Sequence, residues 1–246
     1  MSQTSQPGKQ RFLIATMGRS GSSLLSAILA TAGADFGLGT TPTEWKRKRG
    51  EYESQGLALP YIAYRLYELL PSWPSLLRYT KKFLRNRMKK SLSTTLQKAT
   101  YLKSPILVYL TQDIYGLGYS PKLIISYRAF HKLAQSIYLN SRRSYSAIVE
   151  AYVDIYGTAL LQLDMFGGCV VKYADIVDVD NTDWINPVSA ITGIEDEIII
   201  ECRRKIVQSS KVLTQPFFDT AIDNRVISIS ETLDGLRGKL IRGSLR

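Results

Sequence analysis

This sequence contains little cysteine, a single histidine and no long apolar segment. Its two cysteines, Cys169 and Cys202, are too few for the disulfide framework of a small secreted domain and favour a reducing compartment. No apolar run approaches the ~20 residues that a membrane-spanning helix needs. The first ten residues lack the apolar core of a signal peptide. Together these absences predict a cytoplasmic protein.

Acidic residues are also scarce, and one long stretch has none. The chain carries 32 Lys and Arg against 21 Asp and Glu, a formal net charge of +11. Between Glu68 and Asp113 there is no acidic residue, and Ser75–Gln97 has the pattern of an amphipathic helix with basic residues near 78–90. Such a field suits an anionic partner: nucleic acid, an anionic membrane surface in peripheral contact, or a multiply phosphorylated small ligand.

The remaining composition predicts one α/β domain. A chain of 246 residues can bury a sizeable core, and we predict a disordered tail over 1–10 and a single domain over 11–246. Strands that alternate with helices favour a central, mainly parallel sheet flanked by helices in three layers. The predicted strands are Phe12–Ala15, Thr100–Lys103, Lys122–Tyr127 and Cys169–Tyr173. The predicted helices are Ser22–Thr31, Leu57–Leu70, Ser75–Gln97, one from about Lys132, Ser146–Leu163, Asn181–Ile191 and Glu195–Val207, with a short strand or loop over Val226–Ser230.

The first predicted strand runs into a loop of small residues and then a helix. That loop is Gly18-Arg19-Ser20-Gly21-Ser22-Ser23. A strand, a small-residue loop and a helix N-terminus aim several backbone N–H groups at one point, where a phosphate fits. The second glycine and the lysine of a Walker A loop are missing, and no Mg²⁺ ligand set accompanies the loop, so we predict no metal. The alternative is a tightly packed turn without a ligand.

Three predicted strands end in cations. These residues are Arg19, Lys103 and Arg128. In a parallel sheet ligands collect at the carboxyl ends of the strands, so we expect the three side chains to lie near one another.

Four segments together suggest a family. Gly18 to Leu25 resembles the 5′-phosphosulfate loop of sulfotransferases that use 3′-phosphoadenosine 5′-phosphosulfate (PAPS), in the bacterial form R-S-G-S/T-S/T-L-L. Leu123 to Arg128, with Ser136 eight residues on, is similar to that family's 3′-phosphate motif. Leu102-Lys103-Ser104-Pro105 resembles its K-x-P segment, and Val170 to Asp175 resembles its R-Y-E-D strand end. The four matches occur in family order.

The chain also departs from that family's pattern. Ala129-Phe130 stand where an Asp or Asn and then a Pro often follow the arginine, Lys172 and Ala174 replace Arg and Glu, and Ile106 stands where relatives often have arginine. The tail motif R-K-G-x-x-G-D-W has only Leu236-Arg237-Gly238-Lys239 as a nearest candidate. These departures concern the closure over the nucleotide more than the phosphate contacts.

The resemblance implies a P-loop-like fold and sulfuryl transfer from PAPS, without a metal, to a hydroxyl of a carbohydrate, a lipid or a small natural product. Gly18, Arg19, Ser20, Gly21, Ser22 and Ser23 would hold the 5′-phosphosulfate, and Arg128 and Ser136 the 3′-phosphate. Arg19 acts electrostatically, because a guanidinium does not release its proton. Tyr173 could stack on adenine or on a sugar acceptor.

The acceptor hydroxyl needs a general base. Glu53, in a segment that resembles G-Y-F-E of bacterial relatives, is our first candidate, and Glu44 is the alternative. Lys103 would orient the sulfuryl oxygens or the acceptor. The lone histidine, His131, lies on the cofactor side of the motifs, where a solvated residue at a helix start is the simpler interpretation.

Two other functions fit part of the sequence. A P-loop nucleotide kinase or NTPase would need the missing Gly-Lys pair and an Asp for Mg²⁺. A non-catalytic anion-binding, nucleic-acid-binding or membrane-surface protein would follow from the charge alone, but would leave the small-residue loop and the pairing of Arg128 with Ser136 unexplained. We therefore expect no nucleic-acid partner.

Overall fold

Residues 8–37, 57, 76–207 and 222–245 are described by the computed structural model. Within these ranges the chain forms five strands and nine helices. The strands are β1 (Lys9–Thr16), β2 (Tyr101–Lys103), β3 (Tyr119–Tyr127), β4 (Gly168–Lys172) and β5 (Leu240–Ile241). The helices are α1 (Ser22–Thr31), α2 (Leu76–Lys98), α3 (Leu107–Gly116), α4 (Phe130–Ser141), α5 (Tyr145–Phe166), α6 (Tyr173–Val177), α7 (Ile185–Thr192), α8 (Asp196–Val207) and α9 (Asn224–Leu236).

The strands form one sheet in the order β2-β1-β3-β4-β5. The first four are parallel and β5 runs antiparallel to β4. Thr16 pairs with Ser126 and Tyr127 pairs with Lys172, so β1, β3 and β4 end side by side. The chain passes from β1 to β2 on one side and to β3 on the other. The crevice beyond β1 and β3 is therefore the switch point at which open parallel sheets bind ligands.

Apolar side chains of successive strand residues face opposite layers of helices. Ile14 and Ile124 pack with α1, α7 and α8 on one face. Ala15 and Ile125 pack with α4, α5 and α9 on the other, where Leu13 joins α2 and α3 in a neighbouring cluster. Burial on both faces explains why these strands are continuous apolar runs. The predicted three-layer α/β architecture with a mainly parallel sheet is confirmed.

Several boundaries differ from the sequence prediction. Val226–Ser230 is not a strand or loop but part of α9. Asp223 caps this helix by accepting a hydrogen bond from the backbone N–H of Arg225 at 2.8 Å, and Val226 and Leu233 are buried two turns apart. Helix α3 was not predicted. Strand β1 begins at Lys9, inside the predicted tail, and residues 1–7 lie outside the described ranges, as does all but Leu57 of the helix predicted over Leu57–Leu70.

No helix in the described ranges has the length and apolarity needed to cross a membrane. Within the same ranges, no three His, Cys, Asp or Glu side chains are grouped so that they could hold a metal ion.

Candidate anion-binding site

The turn between β1 and α1 directs the N-terminus of the helix toward the end of the sheet. Arg19 and Gly21 both have left-handed backbone conformations, with φ of 72° and 96°. The Ser20 amide donates to the Met17 carbonyl at 3.3 Å, and the hydroxyls of Thr16 and Ser20 are hydrogen-bonded to each other. No side chain caps the N-terminus of α1. Its first amides are therefore available to an external acceptor.

Gly21 is required by two features of this turn. Its φ is one that residues with a Cβ rarely adopt. A Cβ at this position would also lie 2.1 Å from Cδ2 of Tyr173, at the start of α6. The Tyr173 ring is therefore packed directly on the backbone of the turn, and only glycine leaves room for it.

A second turn, between β3 and α4, brings Arg128 onto the same tyrosine ring. The guanidinium carbon of Arg128 lies 4.8 Å from the centroid of Tyr173. Its Nε is buried and has no hydrogen-bond partner among the residues that the structure describes. Burial lowers the pKa of Arg128; Tyr173 partly offsets this, and the nearby charge of Arg19 lowers the pKa further. Two like charges thus lie close together, one of them partly desolvated.

A hydrogen bond joins the first turn to α4, the helix that follows the second turn. Nε of Arg19 donates to Oγ of Ser136, on the helix that follows Arg128, at 3.0 Å. Ser136 is buried, while Arg19 is exposed. The two turns that the sequence predicted to converge therefore lie side by side.

Lys103 adds a third cation at the same edge of the sheet. Its side chain is 2% exposed, and its Nζ donates to Oγ of Ser23, in the first turn of α1, at 2.8 Å. The Lys103 ammonium thus lies beside the positive end of α1 and adds to the positive potential at this edge of the sheet.

The structure adds Tyr156 to the site, which sequence reasoning assigned only to the apolar face of a helix. Its hydroxyl donates to the Ser126 carbonyl at 3.0 Å and accepts from the Met17 amide at 3.4 Å. Burial raises the pKa of this phenol, so it stays protonated. Tyr156 thus ties the end of β1 to the end of β3, and no sequence signal marked it.

Beyond Arg128, α9 closes over the ends of β3 and β4. Asp234 accepts hydrogen bonds from the Tyr127 hydroxyl at 2.6 Å and from Nζ of Lys172 at 2.5 Å. Burial raises the pKa of Asp234, but these two bonds outweigh it and the net shift is downward. A cavity of about 220 Å³ lies here, lined by Arg128, Phe130, His131, Tyr152, Val226 and Asp234 among others. The sequence did not predict this side of the cavity because it did not predict α9.

Arg237, in the nearest candidate for the tail motif, lies against the end of β4 and is paired there. Its Nη1 is 3.5 Å from Oδ1 of Asp175, and the Gly238 amide donates to the Val170 carbonyl at 3.3 Å. Asn181 also donates to Asp175, at 3.3 Å. In this arrangement Arg237 binds a carboxylate of its own chain.

The predicted general bases, Glu53 and Glu44, lie outside the described residues. His131 is exposed at the start of α4; burial of the ring, then the charges of Lys132 and Arg128, lower its pKa, so it is neutral at pH 7. Of the predicted site residues outside the β1 turn itself, the structure places Lys103, Arg128, Ser136 and Tyr173 around that turn, where Arg19 lies.

Comparison with protein-family models, with curated proteins and with solved structures gives no match.

Proposed function

We propose that this protein is a sulfotransferase that moves a sulfuryl group from PAPS to a hydroxyl of a carbohydrate, a lipid or a small natural product. The observation that carries the proposal is the contact between Arg19 and Ser136, which sets the small-residue turn after β1 beside the arginine-bearing turn after β3. A nucleotide with phosphates at its 5′ and 3′ positions needs two such anion-binding turns, facing one space.

The charges at the site suit a doubly charged nucleotide. Arg19 and Arg128 repel each other, and Nε of Arg128 is buried without an acceptor. A buried donor without a partner costs about 1–3 kcal/mol, and a bound phosphate oxygen would satisfy it. The uncapped amides of α1 supply the other half of the site, in the manner of a P-loop.

Each residue has a role that follows from its chemistry. PAPS, when bound, supplies the sulfuryl group and leaves as adenosine 3′,5′-bisphosphate. Arg19 and the Gly21–Ser23 amides stabilise the negative charge that grows on the 5′-phosphate, and Arg19 keeps its proton throughout. Arg128 and Ser136 bind the 3′-phosphate. Lys103, fixed against Ser23, is directed at the transferring group.

The acceptor hydroxyl gives its proton to a glutamate. Glu53 is our first candidate for this base and Glu44 the second. Tyr173 contacts both the Gly21 backbone and the Arg128 guanidinium, which places its ring at the site, where it stacks on a flat group of the ligand.

The direct test is calorimetric titration of the full chain with adenosine 3′,5′-bisphosphate, with ATP and duplex DNA as comparison ligands. We expect the bisphosphate to bind and the other two to bind far more weakly. Arg128→Ala should weaken bisphosphate binding roughly 10- to 150-fold, because a charged hydrogen bond contributes about 1.5–3 kcal/mol.

The same variant should change the affinity for adenosine 5′-monophosphate far less, because that ligand lacks the 3′-phosphate. Arg143→Ala, which removes an exposed arginine just beyond the end of α4, is the matched control and should leave both affinities unchanged. Equal losses for the two nucleotides in Arg128→Ala, or tighter binding of ATP by the unaltered protein, would contradict the proposal.

A further inference from the structure

Helix α2 presents two opposite faces with different chemistry. Met88, Leu92 and Leu96 are almost completely buried and pack on α3 and the sheet. Phe83, Arg87 and Lys90 follow one another at steps of four and three residues, so they lie on a single face, and all three are exposed. In helical projection that face is directly opposite the buried one.

The exposed face is basic and has no compensating acid nearby in the sequence. No Asp or Glu occurs between Glu68 and Asp113. Arg85 and Lys98 are also exposed on this helix. No ion pair joins any of these basic side chains to a residue in the part of the chain that the structure describes. The helix therefore presents a basic surface that no acidic side chain of the described residues neutralises.

Phe83 distinguishes this surface from an ordinary solvated helix face. Its side chain is 62% exposed, on the same stripe as Arg87 and Lys90. Phosphate contacts on duplex nucleic acid require cations but no exposed aromatic ring beside them. An aromatic residue among basic residues on an amphipathic helix is typical of peripheral membrane contacts, in which the ring enters the boundary between headgroups and acyl chains.

We propose that α2 docks this protein on the surface of an anionic lipid bilayer, with Phe83 inserted among the headgroups and Arg87 and Lys90 bound to lipid phosphates and carboxylates. The proposal does not depend on sulfuryl transfer. The buried face of α2 packs in a different apolar cluster from Phe130, which lies beside Arg128 in the chain.

Co-sedimentation of the full chain with vesicles tests this surface. We expect binding to vesicles of phosphatidylcholine and phosphatidylserine in equal parts, little binding to pure phosphatidylcholine, and weaker binding as salt rises. The double variant Arg87→Glu/Lys90→Glu should bind at least ~25-fold more weakly, since each basic residue near an anionic surface contributes about fivefold. Phe83→Ala alone should weaken binding several-fold.

Matched controls distinguish the contribution of this surface from the effects of net charge and of non-specific adsorption by exposed apolar side chains. Arg143→Glu/Arg204→Glu makes the same change in net charge at exposed positions on other elements, and Leu161→Ala removes an apolar side chain that is 68% exposed on α5. Both controls should bind the anionic vesicles like the unaltered protein. Thermal unfolding and far-UV circular dichroism, measured on the same samples, should be the same in all variants and report whether each one is folded.

Three results would overturn the proposal. The first is equal binding to neutral and anionic vesicles, or none to either. The second is the same loss in the control pair as in Arg87→Glu/Lys90→Glu. The third is tight binding to duplex DNA that Arg87→Glu/Lys90→Glu abolishes and Phe83→Ala leaves intact, which would assign this face to nucleic acid.

Discussion

The two arginine-bearing turns reach the same place by opposite means. Arg19 is exposed, its backbone is left-handed, and its Nε has a partner in Ser136. Arg128 follows a regular strand and is partly buried; its Nε has no partner, and its guanidinium lies on the ring of Tyr173. The free-energy cost of the first turn is backbone strain at Arg19. That of the second turn is the desolvation of Arg128.

The backbone strain and the desolvation have free-energy costs of similar size. A left-handed non-glycine residue costs about 1–2 kcal/mol, and an unsatisfied buried donor about 1–3 kcal/mol. An anion between the turns would satisfy Arg128 and use the amides that the left-handed backbone exposes. Ligand binding at the β1 turn should therefore be sensitive to the shape of the backbone, whereas binding at the β3 turn should be sensitive to charge.

Substitution of Gly21 should break the β1 turn most severely. In Gly21→Ala, the new Cβ must occupy a left-handed conformation and overlap the Tyr173 ring. We expect bisphosphate affinity to fall at least ~10-fold, since the backbone cost alone is about 1–2 kcal/mol. Calorimetry measures the affinity, and thermal unfolding reports the accompanying loss of stability.

Gly18→Ala is the control for this prediction, in the same turn. A Cβ at Gly18 meets nothing within 4 Å, and its φ is not in the left-handed region. This variant should bind and unfold like the unaltered protein. Equal behaviour of the two variants would show that the shape of the turn at Gly21 has no part in binding.

Substitution of Ser136 should uncouple the two turns with a smaller effect. Ser136→Ala removes the acceptor of the Arg19 bond and one proposed donor to the 3′-phosphate. A neutral hydrogen bond contributes about 0.5–1.5 kcal/mol, so bisphosphate affinity should fall roughly 2- to 10-fold. Ser141→Ala on the same helix, whose hydroxyl bonds to its own backbone at Ile137, should change nothing. An equal loss of affinity for the 5′-monophosphate would assign Ser136 to positioning Arg19 alone.

The sheet and its two loops were predictable because their signals are local. Continuous apolar runs such as Phe12–Ala15 mark strands buried on both faces, and the glycines and serines after β1 mark the turn. Helix α9 was missed because only Val226 and Leu233 of its residues are buried, which leaves a weak apolar period.

Partners across the fold were not predictable in the same way. Motif order placed Arg19, Arg128 and Ser136 near one another, but the bond between Arg19 and Ser136 joins residues 117 positions apart. Tyr156 and Asp234 have side chains whose roles depend only on what the tertiary structure brings to them. Sequence patterns specify faces and turns, whereas these contacts depend on packing.

Substitution of Asp234, which holds α9 against the end of β3, should have the smallest effect on stability, and this effect should depend on pH. The carboxylate of Asp234 has a pKa below its ordinary value of 3.8 in the folded protein, so it adds stability that is complete above that value and is lost as pH falls through the folded pKa. Asp234→Asn should therefore flatten the acid fall in unfolding free energy between about pH 5 and pH 3, by less than about 1 kcal/mol because the side chain is 46% exposed.

Asp175 should give the opposite sign in the same measurement. Burial raises its pKa above the ordinary value, more than the charges of Arg237 and Lys172 lower it, so the folded protein binds this proton more readily than the unfolded chain. Asp175→Asn removes a contribution that opposes acid unfolding, and its curve should be steeper than that of the unaltered protein. Denaturant titrations at a series of pH values measure both slopes. If both curves became steeper, Lys172 and Tyr127 would not hold Asp234 ionised, and α9 would be attached to the β3 end by packing rather than by charge. If both became flatter, the pKa of Asp175 would not be raised in the folded protein.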